Sequence, residues 1–174
     1  KHVPLVSVQV CYSLLSRGVE LGLREVCVKH GLGVLPYSPL AQGLLTGKYR
    51  SADELPAGRS RSRHFHKSRP QSRHGEEGFE AETFAAVEAL RAIAAELGVP
   101  MSQLAVAWLL AQPVVGSVLC GASRPDQVLA NAAGADLKLT PDTLARLDAA
   151  TSDLKHKLGP NLDPWQGNAN SRCR

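Results

Sequence analysis

The chain has 174 residues and a hydrophobic content of 44%, which excludes a disordered composition and allows one domain with a real core. No apolar run approaches the ~20 residues of a membrane span, so no membrane partner is expected. The formal net charge of +4 is local: Arg59, Arg61, Arg63, Lys67, Arg69 and Arg73 form a run without an acid, and without those six charges the remainder is −2. The run is poor in interleaved aromatics, so it reads as a flexible rim loop and not as a nucleic-acid site.

Val3 to Val10 is β-branched and partly alternating, with Val6, Val8 and Val10 on one face and Ser7 and Gln9 on the other, and predicts a strand. Gln9 is then the polar residue near its C-terminal end, and Cys11 to Arg17 its exit loop. A helix is predicted over Val19 to Lys29, with Leu23, Val26 and Cys27 inward and Gly31 at its C-cap. Leu32 to Pro36 predicts a buried strand that stops at Pro36-Tyr37-Ser38-Pro39. The following segment to Lys48 is rich in small residues and lets a backbone approach a ligand. Gly43-x-x-x-Gly47-Lys48 is not a phosphate-binding P-loop, which needs four intervening residues and Ser or Thr after the lysine.

Ser51 to Gly78 is polar and basic, and is expected to be the least ordered internal segment, lying over the ligand mouth. Its His64 and His66 lack a third ligand for a metal and read as solvent-exposed loop histidines. Helices are predicted over Glu80 to Leu97, and over Gln103 to Ala111 with Ser102 as cap and Leu104, Ala107, Trp108 and Ala111 inward. Val114 to Cys120 predicts a third strand, buried on both faces. A short helix over Asp126 to Ala133 follows, then a long one opened by Thr140-Pro141. The tail from Lys155 to Arg174 reads as mostly irregular. The four cysteines are scattered, without a zinc spacing, and those in apolar stretches read as thiols of a reducing compartment.

Strand and helix alternate, which predicts an α/β fold with a parallel sheet wrapped by helices. Three such strands cannot close a barrel; the chain reads as the C-terminal part, about three strands and their helices, of a (β/α)8 TIM barrel. It is read as one partial domain over 1–174, cut from something longer. Gln9, Tyr37, Ser38 and Gly121 are expected on one rim, at the C-terminal ends of three adjacent parallel strands. Open barrel edges would favour self-association.

Three segments carry a family resemblance: Gln9-Val10-x-Tyr12-Ser13-Leu14-Leu15; Tyr37 to Lys48; and Gly121-Ala122-Ser123-Arg124-Pro125-x-Gln127-x-x-x-Asn131. In this order and spacing they resemble the aldo-keto reductases, over nearly the whole chain. The resemblance implies NADPH as cofactor and a small aldehyde or ketone as substrate of the full-length parent. It places Gln9 on the nicotinamide carboxamide and stacks Tyr37 on the nicotinamide ring. It assigns Ser38, Pro39, Leu40, Gln42 and Gly43 to the loop around the pyrophosphate, with Lys48 adding charge. Gly121, with Ala122 and Ser123, would form the tight turn into the next helix, Ser123 and Arg124 would take the 2′-phosphate, and Gln127 and Asn131 the adenine. Many relatives carry Glu before that asparagine; Ala130 here takes one contact out of the implied set.

The family's proton donor is a tyrosine tuned by Lys and His, with an Asp bonded to the Lys, and all four come from early strands. Tyr12, Tyr37 and Tyr49 do not match its setting, and none is expected to have a partner that lowers its pKa, so no catalytic residue is assigned. A non-catalytic nucleotide-binding subunit, like the family's potassium-channel β-subunits, and a truncated product without activity stay open as alternatives. The compartment is cytoplasmic by default, or a plastid or other organelle if a transit peptide precedes the chain.

Overall fold

The computed structural model describes residues 3–173. Its sheet has two named strands, β1 (Ser7–Cys11) and β2 (Gly33–Tyr37), paired in parallel with Ser7 opposite Gly33 and Cys11 opposite Tyr37. β1 is shorter than predicted: Val3, Leu5 and Val6 precede it and are exposed. Between the strands runs α1 (Leu23–His30), stopped at Gly31, whose φ of 65° is left-handed and whose N–H reaches the Cys27 and Val28 carbonyls. Leu23 and Cys27 face the core, but Val26, expected inward, is half exposed.

The third strand is present only as an extended segment. Parallel bridges join Val34 to Val115 and Tyr37 to Leu119, with Val34 N–H bonded to the Val114 carbonyl and Leu119 N–H to the Pro36 carbonyl. It is not buried on both faces: Gly116, Ser117 and Leu119 are exposed, and among the described residues β2 is its one sheet neighbour. β2 is therefore central, and the three segments end on the same side.

Helix α2 (Glu80–Glu96) buries Thr83, Ala86, Val87, Leu90, Ile93 and Ala94, spaced three and four apart as on one helix face. α3 (Met101–Leu110) is buried almost all round from Leu104 to Leu109. It starts at Pro100, whose carbonyl accepts from Gln103 and Leu104, so Ser102 lies inside the helix and is not its cap. Ala111, expected inward, is the exposed residue after the last turn. α4 (Pro125–Ala133), α5 (Pro141–Ala150) and α6 (Ser152–Leu158) follow. Thr140 caps α5 as expected, its hydroxyl accepting from Thr143 N–H at 3.1 Å. The tail is less irregular than predicted, since α6 runs to Leu158 before the chain turns irregular.

The core joins Tyr12, Leu14 and Leu15 after β1 to Leu44, Leu45, Leu90, Leu104 and Trp108. Tyr12 and Trp108 meet edge to face at 5.4 Å. Beside them lies a buried ionic network that the sequence reading passed over as exit loop. Arg17 donates to both Glu20 oxygens at 2.7 and 2.8 Å, to the Asp148 carbonyl at 2.9 Å and to Thr151 at 2.8 Å. Tyr12 donates to Glu20, and Trp108 to Asp148, each at 3.0 Å. The network ties the end of β1 to α3, α5 and α6.

The long basic loop is a packed element, not a loose one. Its cations meet acids that lie just outside the run: Arg63 with Glu76, Lys67 with Glu77, and Arg69 with both Asp53 and Glu80. His64, expected in solvent, is buried. Its Nε2–H donates to the Leu15 carbonyl at 2.9 Å, which fixes the tautomer and lets Nδ1 accept from Ser62 at 3.1 Å. Gly78, at φ 72°, closes the loop where a Cβ would sit 2.0 Å from the Phe65 carbonyl oxygen. No other residue fits there.

Candidate functional site

A cleft of about 740 Å³ opens beyond the C-terminal ends of β2 and the 114–119 segment. One wall is the loop after β2. Its backbone is held in the left-handed region at Ser38 (φ 54°), Ala41 (45°), Gln42 (56°) and Gly43 (99°). Three of these are not glycine, so each stores of order 1–3 kcal/mol of local strain, the kind that clusters at ligand clamps. The surrounding structure over-determines the bend: Leu44 and Leu45 are buried in the core directly after it, and Gly43 and Leu45 N–H both bond to the Leu40 carbonyl. The opposite wall is the turn into α4. Ser123 N–H and hydroxyl both donate to the Gln127 side-chain oxygen, at 2.8 and 3.1 Å. Asn131, nearly buried, faces the Gly121 carbonyl at 3.4 Å.

Ser38, Pro39, Leu40, Gln42, Gly43, Lys48, Gly121, Ser123, Arg124, Gln127 and Asn131 all line this cleft. Two predicted residues do not. Gln9 is exposed in the middle of β1, opposite Leu35 and two residues short of the strand end, so it is not on the rim with the others. Tyr37 ends β2 half-buried beside the cleft; burial pushes its phenol up to about 12, with the Cys11 thiol adding to the effect.

Thr46, Arg59, Ser102, Leu119, Ala122 and Ala130 also line the cleft and were not assigned to it from sequence. Arg59 matters most. It comes from the basic loop, and its guanidinium would lie 3.3 Å from a Cβ placed on Gly43. Its membership in the basic run was the available signal, but the run alone could not say which member turns inward. Among the described residues the lining thus holds three cations, Lys48, Arg59 and Arg124, and no carboxylate. Arg124 is exposed and paired with Asp126 at 3.0 and 2.9 Å.

The tyrosines differ in their surroundings. Tyr12 is fully buried, and burial together with Glu20 pushes its phenol far up. Tyr49 has cationic neighbours: Arg59 donates to its hydroxyl at 3.3 Å and Lys48 lies 4.8 Å above its ring. It does not line the cleft.

Residues 1–152 match the model of the aldo/keto reductase family. The chain belongs to this family. Among curated relatives, Protein tas of Escherichia coli (strain K12) is 40% identical over 145 residues, 83% of this chain and 39% of that protein. A probable voltage-gated potassium channel subunit beta of Oryza sativa subsp. japonica is 35% identical over 149 residues, 79% of this chain and 41% of that protein. L-glyceraldehyde 3-phosphate reductase of Escherichia coli (strain K12) is 32% identical over 169 residues, 96% of this chain and 46% of that protein. The chain therefore spans less than half the length of these relatives.

Proposed function

We propose that the chain is the NADP(H)-binding portion of an aldo/keto reductase acting on aldehydes or ketones, its parallel segments being the last strands of a (β/α)8 barrel. The observation that carries this reading is the composition of the cleft: three cations, no carboxylate, a clamped small-residue loop on one wall and a helix start on the other. That lining fits an extended polyanion such as a dinucleotide phosphate. When bound, NADPH would supply a hydride to the carbonyl carbon.

The chain's own residues hold and orient. The loop Ser38–Gly43 with Lys48 and Arg59 would face the pyrophosphate. Ser123 and Arg124 would take the 2′-phosphate, with the α4 dipole aligned to favour it. Gln127 and Asn131 would flank the adenine. Gln9 and Tyr37 are kept for the nicotinamide end on the family resemblance, since they lie outside the cleft. With no proton donor assigned, the chain alone is expected to bind without turnover.

Titration of the chain with NADPH and NADH, followed by nicotinamide fluorescence and calorimetry, tests this. Preference for NADPH is the expected result. Equal affinity would remove Arg124 from the phosphate role, and no binding of either would end the reading. Reduction of an aldehyde by the chain alone would show that a donor had been missed. A second reading, a nucleotide-binding channel subunit, is favoured by the 35% identity to the rice protein, and uses the same cleft.

A further inference from the structure

The rim carries a second cationic hollow that the cofactor reading does not use. Next to the large cleft, sharing Ser38, Gln42 and Arg59 with it, is a narrow gap lined also by Cys11 and Trp165. On the far side of Trp165 lies a pocket of about 150 Å³, lined by Arg61, Gln71, Arg73, Trp165, Gln166 and Arg172. The narrow gap thus borders the cleft through Ser38, Gln42 and Arg59, and the arginine pocket through Trp165.

Among the described residues, three guanidiniums line this pocket and no carboxylate does. Each is placed differently. Arg61 lies over the Trp165 ring at 5.0 Å, a contact that orients the guanidinium without neutralising it. Arg172 is gripped by the buried Asp163 at 2.6 and 2.9 Å, which anchors it at the pocket. Arg73 has no acid within ion-pair distance among the described residues. Elsewhere in the same loop Arg63, Lys67 and Arg69 each have a carboxylate. Gln71, on the pocket wall, is held at φ 65°. With Arg172 balanced by Asp163, the charges of Arg61 and Arg73 still face one hollow, and a bound anion would offset them through forked hydrogen bonds.

We infer that this pocket takes the anionic end, a phosphate or carboxylate, of the small carbonyl compound whose reactive end would sit at the strand ends. The inference rests on the proposed function for the word carbonyl, but the anion pocket itself does not. It makes the substrate class anionic and puts its charge on the side of the strand ends away from Arg124.

The test is titration of the chain with inorganic phosphate, glycerol 3-phosphate and succinate, with glycerol as neutral control, read by calorimetry and by Trp165 fluorescence against a W165F background. Phosphate, carboxylate or both should bind, and glycerol should not. The double variant R61Q/R73Q, at two exposed positions, should weaken anion binding by about tenfold or more and leave NADPH binding unchanged. The share of anion binding that R61Q/R73Q removes should persist in R124A. An anion affinity that R61Q/R73Q does not lower, or that R124A lowers as much, overturns the assignment, as does no binding at all. Tighter binding of a short oligonucleotide through Arg61 and Arg73 would overturn it in favour of nucleic acid. A chain that binds these anions through Arg61 and Arg73 but does not bind NADPH supports the pocket and refutes the cofactor reading.

Discussion

Arg17 and Arg124 each grip a carboxylate with Nε and Nη2, at 2.7 and 2.8 Å to Glu20 and at 3.0 and 2.9 Å to Asp126. The geometry is nearly the same and the surroundings are opposite. The Arg17 and Glu20 side chains are 5% and 4% exposed, those of Arg124 and Asp126 63% and 66%. Burial pushes Glu20 toward protonation, but the hydrogen bonds and charge of Arg17 outweigh it and hold the carboxyl below its ordinary range. Arg17 also has the Asp148 and Thr151 oxygens and lies over Trp108 at 5.2 Å. Every donor direction is used, and nothing is left for a ligand. Arg124 has one partner, on its own helix turn, in water that screens the pair. An arginine in the first setting holds the fold, and one in the second is free to exchange its partner for a phosphate.

The largest expected effect is at Arg17. Arg17→Met leaves the buried Glu20 to the Lys155 ammonium at 3.4 Å and removes both of its short guanidinium bonds; it should cost about 3–5 kcal/mol in urea unfolding. Arg17→Met with Glu20→Gln should recover part of that loss. If the single variant unfolds like the parent, the buried network does not hold the fold and the contrast with Arg124 collapses.

The second effect sets the buried His64 against the surface in the same way. Burial pushes its imidazole down to about 4, with the Arg63 and His74 charges adding and the Leu15 carbonyl opposing. The folded value lies below the unfolded value near 6.5, so the unfolded chain binds more protons between them. The contribution is complete above about pH 6.5 and is lost as pH falls through about 4, for a total of about 3 kcal/mol. His74, also shifted down by burial, adds in the same direction. Stability measured from pH 7 to 4 should fall, and His64→Gln should flatten the upper part of that slope. An unchanged slope in the variant would mean His64 is solvated.

These two groups show what was legible in the sequence and what was not. Helix α2, the Gly31 stop and the Thr140 cap follow from periodicity and local backbone chemistry, which a single segment carries. The cleft residues came out of two contiguous motifs and fall together because each motif crosses one strand end. Arg17, His64 and Arg59 were misread or missed because their partners, Asp148, Leu15 and Gly43, are distant in sequence. An arginine in a loop reads as solvated until another element covers it. The left-handed turns at Ser38, Ala41 and Gln42 were hidden for a different reason: those residue types do not announce positive φ as glycine does. Gln9 missed the rim by two residues, within the usual uncertainty of where a strand ends.

The third effect is at Arg124 and is one of binding alone. Arg124→Ala should leave the unfolding midpoint where it was, since the side chain covers nothing. On the proposed function it should cut the preference for NADPH over NADH by about tenfold or more, the worth of a charge-assisted bond to phosphate. Loss of stability without loss of preference would reverse the roles given to the two arginines.

The smallest effect concerns the partner that Arg124 must give up. Asp126 holds the guanidinium from two residues away, and the Arg124 side chain in turn keeps the Asp126 carboxyl below its ordinary range. A 2′-phosphate at this position would compete with that carboxylate for the same Nε and Nη2 donors and would also feel its charge. Asp126→Asn keeps the shape of the side chain, removes the competing charge and leaves a weaker acceptor. The proposed function then predicts NADPH affinity rising by about twofold, the scale of an exposed ion pair. The rise should shrink as salt is added, because both charges are in solvent. NADH, without the 2′-phosphate, should bind Asp126→Asn as it binds the parent. A rise shared equally by NADH would place the removed charge near the pyrophosphate instead, and would move Arg124 with it.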